Sequence, residues 1–168
     1  MRKFLCILLA YLSVFCIAFS EETAQDASVD LYEQIEMSAV KDELDQAFEC
    51  VQTEDGYILY ENEVLCAFYE SGRLMAKARA FENAADIAPV AGVPLEKLSS
   101  YKQGMTIEEV TDAFGAEGLE IMKINLADED DAGVRRVLVW KTEANVVVQA
   151  LFELDDNEWV LFAIAEVK

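Results

Sequence analysis

Residues 40–48 read Val-Lys-Asp-Glu-Leu-Asp-Gln-Ala-Phe, and residues 106–114 read Thr-Ile-Glu-Glu-Val-Thr-Asp-Ala-Phe. The two stretches lie over each other without a gap. Each opens on an acidic turn and sets apolar side chains at helical spacing: Val40, Leu44, Ala47 and Phe48 in one, Ile107, Val110, Ala113 and Phe114 in the other. Thr106 and Glu109 add an S/T-x-x-E capping box, and Gly115 stops that helix. A short preceding helix is expected in each half, around 31–36 and 95–102.

Downstream, both halves turn strand-like. Residues 57–60 (YILY) correspond to 137–140 (VLVW), 64–70 (VLCAFYE) to 148–154 (VQALFEL), and 74–81 (LMAKARAF) to 159–166 (WVLFAIAE). Turn-forming residues separate them at 61–63, 71–72 and 155–157. The only two prolines, Pro89 and Pro94, bracket Val-Ala-Gly-Val and mark a linker between the halves. The fold class expected is α+β: two tandem units, each a helix pair packed on a three- to four-stranded antiparallel sheet. The first unit spans 31–88, the linker 89–94 and the second unit 95–168.

Residues 101–115 (YKQGMTIEEVTDAFG) resemble the GMT-x-x-E-V signature of small α/β domains. That signature is found in the SmpA/OmlA-type outer-membrane assembly proteins and the β-lactamase-inhibitory-protein group. In the first half Ser38 and Ala39 stand where Gly104 and Met105 stand, so that copy rests on the internal alignment. The resemblance implies tandem units and a protein-binding role outside the cytoplasm, without naming a target. A cysteine after the helix bonded to one in the following sheet is similar to the inhibitor-type units, and Cys50 and Cys66 fit that placement.

The N-terminus points to the same compartment. Arg2 and Lys3 precede an apolar run from Phe4 to Phe19, and small residues stand at Ala18 and Ser20. This is the pattern of a secretory signal peptide over 1–20, followed by a polar tether over 21–30. The alternative is a retained N-terminal anchor. Phe15 before Cys16 and Leu5 before Cys6 argue against lipidation. An extracytoplasmic protein, secreted or in the cell envelope, with no stable membrane insertion after cleavage is expected. Removing 1–20 takes two bases and no acid, leaving 33 acids against 11 bases, a net −22. Such a charge favours solubility and basic partners or cations, and repels nucleic acid and anionic headgroups. Cys50 and Cys66 remain as an even pair, which in an oxidising compartment predicts a disulfide.

The absence of histidine removes Ser-His and Cys-His catalysis and His-containing metal sites. No G-x-S-x-G, P-loop or dinucleotide glycine pattern occurs. Asp128, Asp130 and Gly133 fall at calcium-loop positions 1, 3 and 6, but Ala132 and Val139 occupy two positions that need oxygen ligands. No cofactor, no metal and no enzymatic activity are expected; a carboxylate-based hydrolase is the remote alternative.

Strand alternation yields the candidate site. If Lys77 and Arg79 mark the solvent side of 74–81, then Leu74, Ala76, Ala78 and Ala80 face the helices. By the same parity Trp159, Leu161, Ala163 and Ala165 point inward, while Val160, Phe162 and Ile164 point outward. The neighbouring strand buries Val148, Ala150 and Phe152 and sends Val147, Gln149 and Leu151 outward, with Leu65, Tyr69 and Met75 extending the surface. A one-sided antiparallel sheet alternates apolar and polar residues, whereas this one reads apolar on both faces. The expected partner-binding face is therefore Val147, Leu151, Val160, Phe162, Ile164 and Tyr69, with Lys77 and Arg79 beside them. Its occupant is an unidentified protein, with the chain acting as an inhibitor or an envelope-assembly factor. Alternatively the first unit, the 81–98 segment or a second copy covers it, as in a self-associating structural envelope protein.

Overall fold

Caps and breakers set the helices. In the computed structural model, which describes residues 30–80, 90–92, 95–128 and 133–167, α1 (Leu31–Gln34) begins after Asp30, whose carboxylate accepts from the Tyr32 backbone N–H at 3.1 Å. Helix α2 (Lys41–Ala47) starts at Val40 with no side-chain cap. A 3-10 turn (Leu95–Ser100) precedes α3 (Ile107–Phe114). At α3 the expected capping box forms: Thr106 accepts from the Glu109 N–H, and the Glu109 carboxylate accepts from the Thr106 N–H. Gly115 ends it at φ 71°, a left-handed conformation that suits glycine. The expected signal peptide, Pro89, Pro94 and all but the last residue of the expected tether lie outside the described residues.

The strands are β1 (Cys50–Gln52), β2 (Ile58–Tyr60), β3 (Val64–Phe68), β4 (Leu74–Arg79), β5 (Val90–Ala91), β6 (Leu119–Asn125), β7 (Val134–Thr142), β8 (Val147–Asp155) and β9 (Glu158–Val167). They do not form two sheets. Strand β4 pairs with β6 through Ala76–Ile124, Lys77–Lys123 and Ala78–Met122. One sheet results, in the order β1-β2-β3-β4-β6-β7-β8-β9, with β5 lying parallel to β7. The expectation of two tandem helix-pair-on-sheet units is therefore corrected to a single, mostly antiparallel nine-stranded sheet with a few short helices. The physical reason is edge chemistry: two separate meanders would leave four strand edges with unpaired backbone groups, and joining them satisfies two. The strand that makes the join, β6, was not anticipated from the sequence; neither were β1 and β5.

Both helix layers sit on the same side of this sheet. Residues directly opposite one another in a ladder share a face, and the register runs Cys66–Lys77–Lys123–Arg136–Phe152–Leu161 from β3 to β9. Cys66 belongs to a core with Tyr32, Leu44 and Tyr60; Phe152 and Leu161 belong to one with Val110, Phe114 and Trp140. The two cores thus flank a strip of charged residues. Each core closes through the same docking. Leu74 N–H donates to the Ala39 carbonyl at 3.0 Å beneath α2, and Leu161 N–H donates to the Met105 carbonyl at 2.6 Å beneath α3.

Candidate functional site

The face opposite the helices carries an unbroken apolar row. Val51, Leu59, Leu65, Ala78, Met122, Val137, Leu151 and Ala163 stand in direct register across β1, β2, β3, β4, β6, β7, β8 and β9. All the described helices pack on the other face. Val51 is 62 % exposed at one end of the row, and Val137 and Leu151 are buried near the other. Leu59, Leu65, Ala78, Met122 and Ala163 are half-buried. Beside this row the Arg135 guanidinium pairs with the Glu153 carboxylate at 2.8 Å, so the charges there cancel. Buried among the apolar side chains, Gln149 Nε2 has no hydrogen-bond partner among the described residues.

The sequence-derived site residues divide between the two faces. A β-bulge in β4 leaves Met75 without an opposite residue, because Phe68 pairs Leu74 and Ala67 pairs Ala76. A bulge in β9 does the same to Phe162, because Phe152 pairs Leu161 and Leu151 pairs Ala163. Each bulge reverses the alternation beyond it. Lys77 and Arg79 consequently point to the helix side, and Lys77 is only 2 % exposed. Ile164 packs against the second core rather than facing away from it. Ala76, Ala78, Ala163 and Ala165 move the other way, to the helix-free face. Val147, Leu151 and Val160 lie on that face as expected from parity, although Leu151 is buried. Tyr69 bridges the sheet, its hydroxyl donating to the Asn125 carbonyl at 2.7 Å. The structure does not bring these eight residues to one surface.

The cysteines also depart from expectation. Both are free; Cys50 is exposed and Cys66 buried. Cys50 pairs with Tyr60 and Cys66 with Ile58, so β2 stands between them. Two strand spacings amount to roughly 9.5 Å, beyond the ~7 Å Cα separation a disulfide tolerates. The apolar surroundings push the Cys66 thiol up to about 12.

Between the two cores lies the charged strip that sequence reading missed. Glu120 is 9 % exposed; it accepts from the Tyr32 hydroxyl at 2.9 Å and from the Arg136 guanidinium, and forms an ion pair with the Lys123 ammonium at 3.2 Å. Arg79 donates to the Glu120 backbone carbonyl at 2.9 Å and pairs with Asp30 at 2.6 Å and Glu33 at 3.0 Å. Lys77 Nζ donates to the Ile35 carbonyl at 2.6 Å and to the Tyr32 carbonyl, and sits 4.1 Å above the Tyr32 ring. Burial, and then Lys123 close by, lower the Lys77 pKa; burial, and then Glu120, raise that of Tyr32. The missed signal was in 119–125: LEIMKIN does not alternate cleanly, because the ladder shifts register between Glu120 and Met122.

Among the described residues no group of three or more His, Cys, Asp or Glu side chains is placed to hold a metal ion. No described helix is long and apolar enough to cross a membrane. Asp128 of the acidic loop accepts from the Ser71 hydroxyl at 2.8 Å, and residues 129–132 of that loop lie outside the described residues. No protein-family model matches this chain, and no curated protein matches it either.

Proposed function

We propose that this chain is an exported, non-catalytic protein-binding module that holds its partner against the helix-free face of the sheet. The exposed and half-buried stretch of the apolar row, from Val51 through Leu59, Leu65 and Ala78 to Met122, carries the reading. The described helices occupy one face of the sheet, while apolar side chains continue in register across eight strands of the other. Apolar surface of this extent on a soluble domain is what interfaces use, with half-buried Leu and Met side chains as anchors worth roughly 1–3 kcal/mol each. The net charge of −20 on the chain favours a basic partner. The resemblance of residues 101–115 to exported binding domains agrees with this reading and stands independently of the row.

The test is affinity capture from envelope and culture-fluid extracts with the chain from residue 21 onward, beside a bait carrying Leu65→Asp and Met122→Asp. Both positions are half-buried, so the substitutions act on the face more than on the cores. Retention of one protein by the native bait and its loss with the double variant supports the proposal. Identical retention by both baits, or none, removes it. A concentration-dependent dimer in sedimentation, abolished by the same two substitutions, replaces it with self-association.

A further inference from the structure

We propose that Arg136 and Lys123 form a binding site for a small oxyanion in the strip between the two cores. The site lies on the helix side, away from the apolar row, and does not depend on the function proposed above. Three cations, Lys77, Lys123 and Arg136, stand directly opposite one another on β4, β6 and β7. Like charges in that relation repel at side-chain separations of ~5 Å. Lys77 is spent on the carbonyls at the end of α1, and Arg79 on Asp30, Glu33 and the Glu120 carbonyl. Lys123 and Arg136 are left to share the single carboxylate of Glu120, which also receives the Tyr32 hydroxyl.

The donor count shows what remains. Arg136 reaches Glu120 through Nε, and both terminal guanidinium nitrogens have no acceptor among the described residues. An ammonium has three donors, and Lys123 is seen in an ion pair with Glu120 at 3.2 Å. Both side chains are 26 % exposed, so water and solutes reach them. The Arg136 guanidinium carbon lies 5.0 Å from the Trp159 ring centroid, which holds the planar group in place. A fixed guanidinium whose two terminal nitrogens have no acceptor among the described residues matches the paired oxygens of a carboxylate or phosphate, and the lysine adds a second positive charge beside it. Elsewhere the surface is dominated by acids, so an anion that binds here is recognised locally rather than by the field of the whole chain.

The measurement is a titration of the full chain with inorganic phosphate and with acetate, followed by the indole N–H resonance of Trp159, with chloride at equal ionic strength as reference. Saturable shifts are expected, with dissociation constants of roughly millimolar order. Arg136→Lys keeps the charge opposite Glu120 but loses the two-pronged donor, and weakens binding about tenfold. Lys123→Met weakens it by about threefold to tenfold while Arg136 still satisfies Glu120. Lys97→Met, which removes an exposed charge from the 3-10 turn, leaves the titration unchanged. A response that fails to saturate, that chloride reproduces, or that survives unchanged in Arg136→Lys overturns the proposal. Equal weakening by Lys97→Met overturns it as well, since net charge would then be the cause.

Discussion

The two cores use the same docking to reach different interiors. Val40 bridges to Arg73 where α2 meets β4, and Thr106 bridges to Val160 where α3 meets β9. Counting onward through the matching bulges at Met75 and Phe162 places Lys77 opposite Ile164 in the comparison. At this position the first core carries a buried ammonium bonded to helix carbonyls, and the second carries a hydrocarbon. The aromatic pairs differ in step. Phe48 meets Tyr60 edge-on at 6.5 Å and 73°, whereas Phe114 lies flat on Trp140 at 4.7 Å and 9°, with Tyr101 stacked on its other side at 5.3 Å. Stacked rings and apolar contacts tolerate no added volume, while hydrogen-bonded polar groups tolerate no lost partner. One scaffold therefore has two different points of weakness.

The largest effect is expected in the second core. A Cβ on Gly118 would stand 2.4 Å from the Trp140 ring, and the indole cannot retreat because its N–H donates to the Ala116 carbonyl at 2.8 Å. Gly118→Ala should cost about 3 kcal/mol in urea unfolding. A loss below about 0.5 kcal/mol would mean that the stack is looser than its geometry. In the first core, Lys77→Met should cost about 2 kcal/mol, because the Tyr32 and Ile35 carbonyls lose their donor inside the protein. Ile164→Met, the matched change in the apolar core, should cost under about 1 kcal/mol. Equal losses would erase the contrast.

Alkaline pH separates the cores next. Burial holds the Cys66 thiol at about 12, while in the unfolded chain it ionises near ~8.5. The unfolded state then binds fewer protons, so stability present below that pH is lost as pH rises toward the folded value. The loss amounts to about 1.4 kcal/mol at roughly pH 9.5, and Cys66→Ala should flatten it. Tyr32 and Tyr60, also raised chiefly by burial, act with the same sign at higher pH. Lys77 acts with the opposite sign, since its folded pKa is lowered and stability from that group rises with pH through the window below its ordinary value. In the same samples a thiol reagent should label Cys50 at once and Cys66 only on unfolding; rapid labelling of both, or of neither, contradicts the strand register.

The smallest effect concerns the caps. Thr106→Ala should cost about 1 kcal/mol by breaking the capping box. Val40→Thr, which places threonine three residues before Glu43, should return a few tenths of that to α2. Urea midpoints of the two variants would show whether the uncapped first helix is a weakness or is held by its docking alone.

Local chemistry was legible where it acts over a few residues. The capping box at Thr106, the glycine stop at Gly115 and the apolar spacing of α3 all reported directly on structure. So did six of the strands, within a few residues at their ends. The candidate face was legible in kind and misplaced in detail. Its apolar excess is real in 147–167, but Ile164 took the opposite side because strict alternation was carried through the bulge at Phe162, and Lys77 and Arg79 did so because their charge was taken as the mark of the solvent side. Leaving Met75 and Phe162 unpaired depends on where the partner strands end, which neither residue announces.

By itself, the sequence determined the helix starts, the strand-forming segments, the acidic balance and the loss of histidine chemistry. Each of these follows from residues near one another in the chain or from simple counting. The tertiary structure alone decided that β4 and β6 join the halves into one sheet, that Cys50 and Cys66 stand two strands apart, and that Glu120 gathers Tyr32, Lys123 and Arg136. Those outcomes depend on register between segments far apart in sequence, where a shift of one residue sends every side chain to the other face.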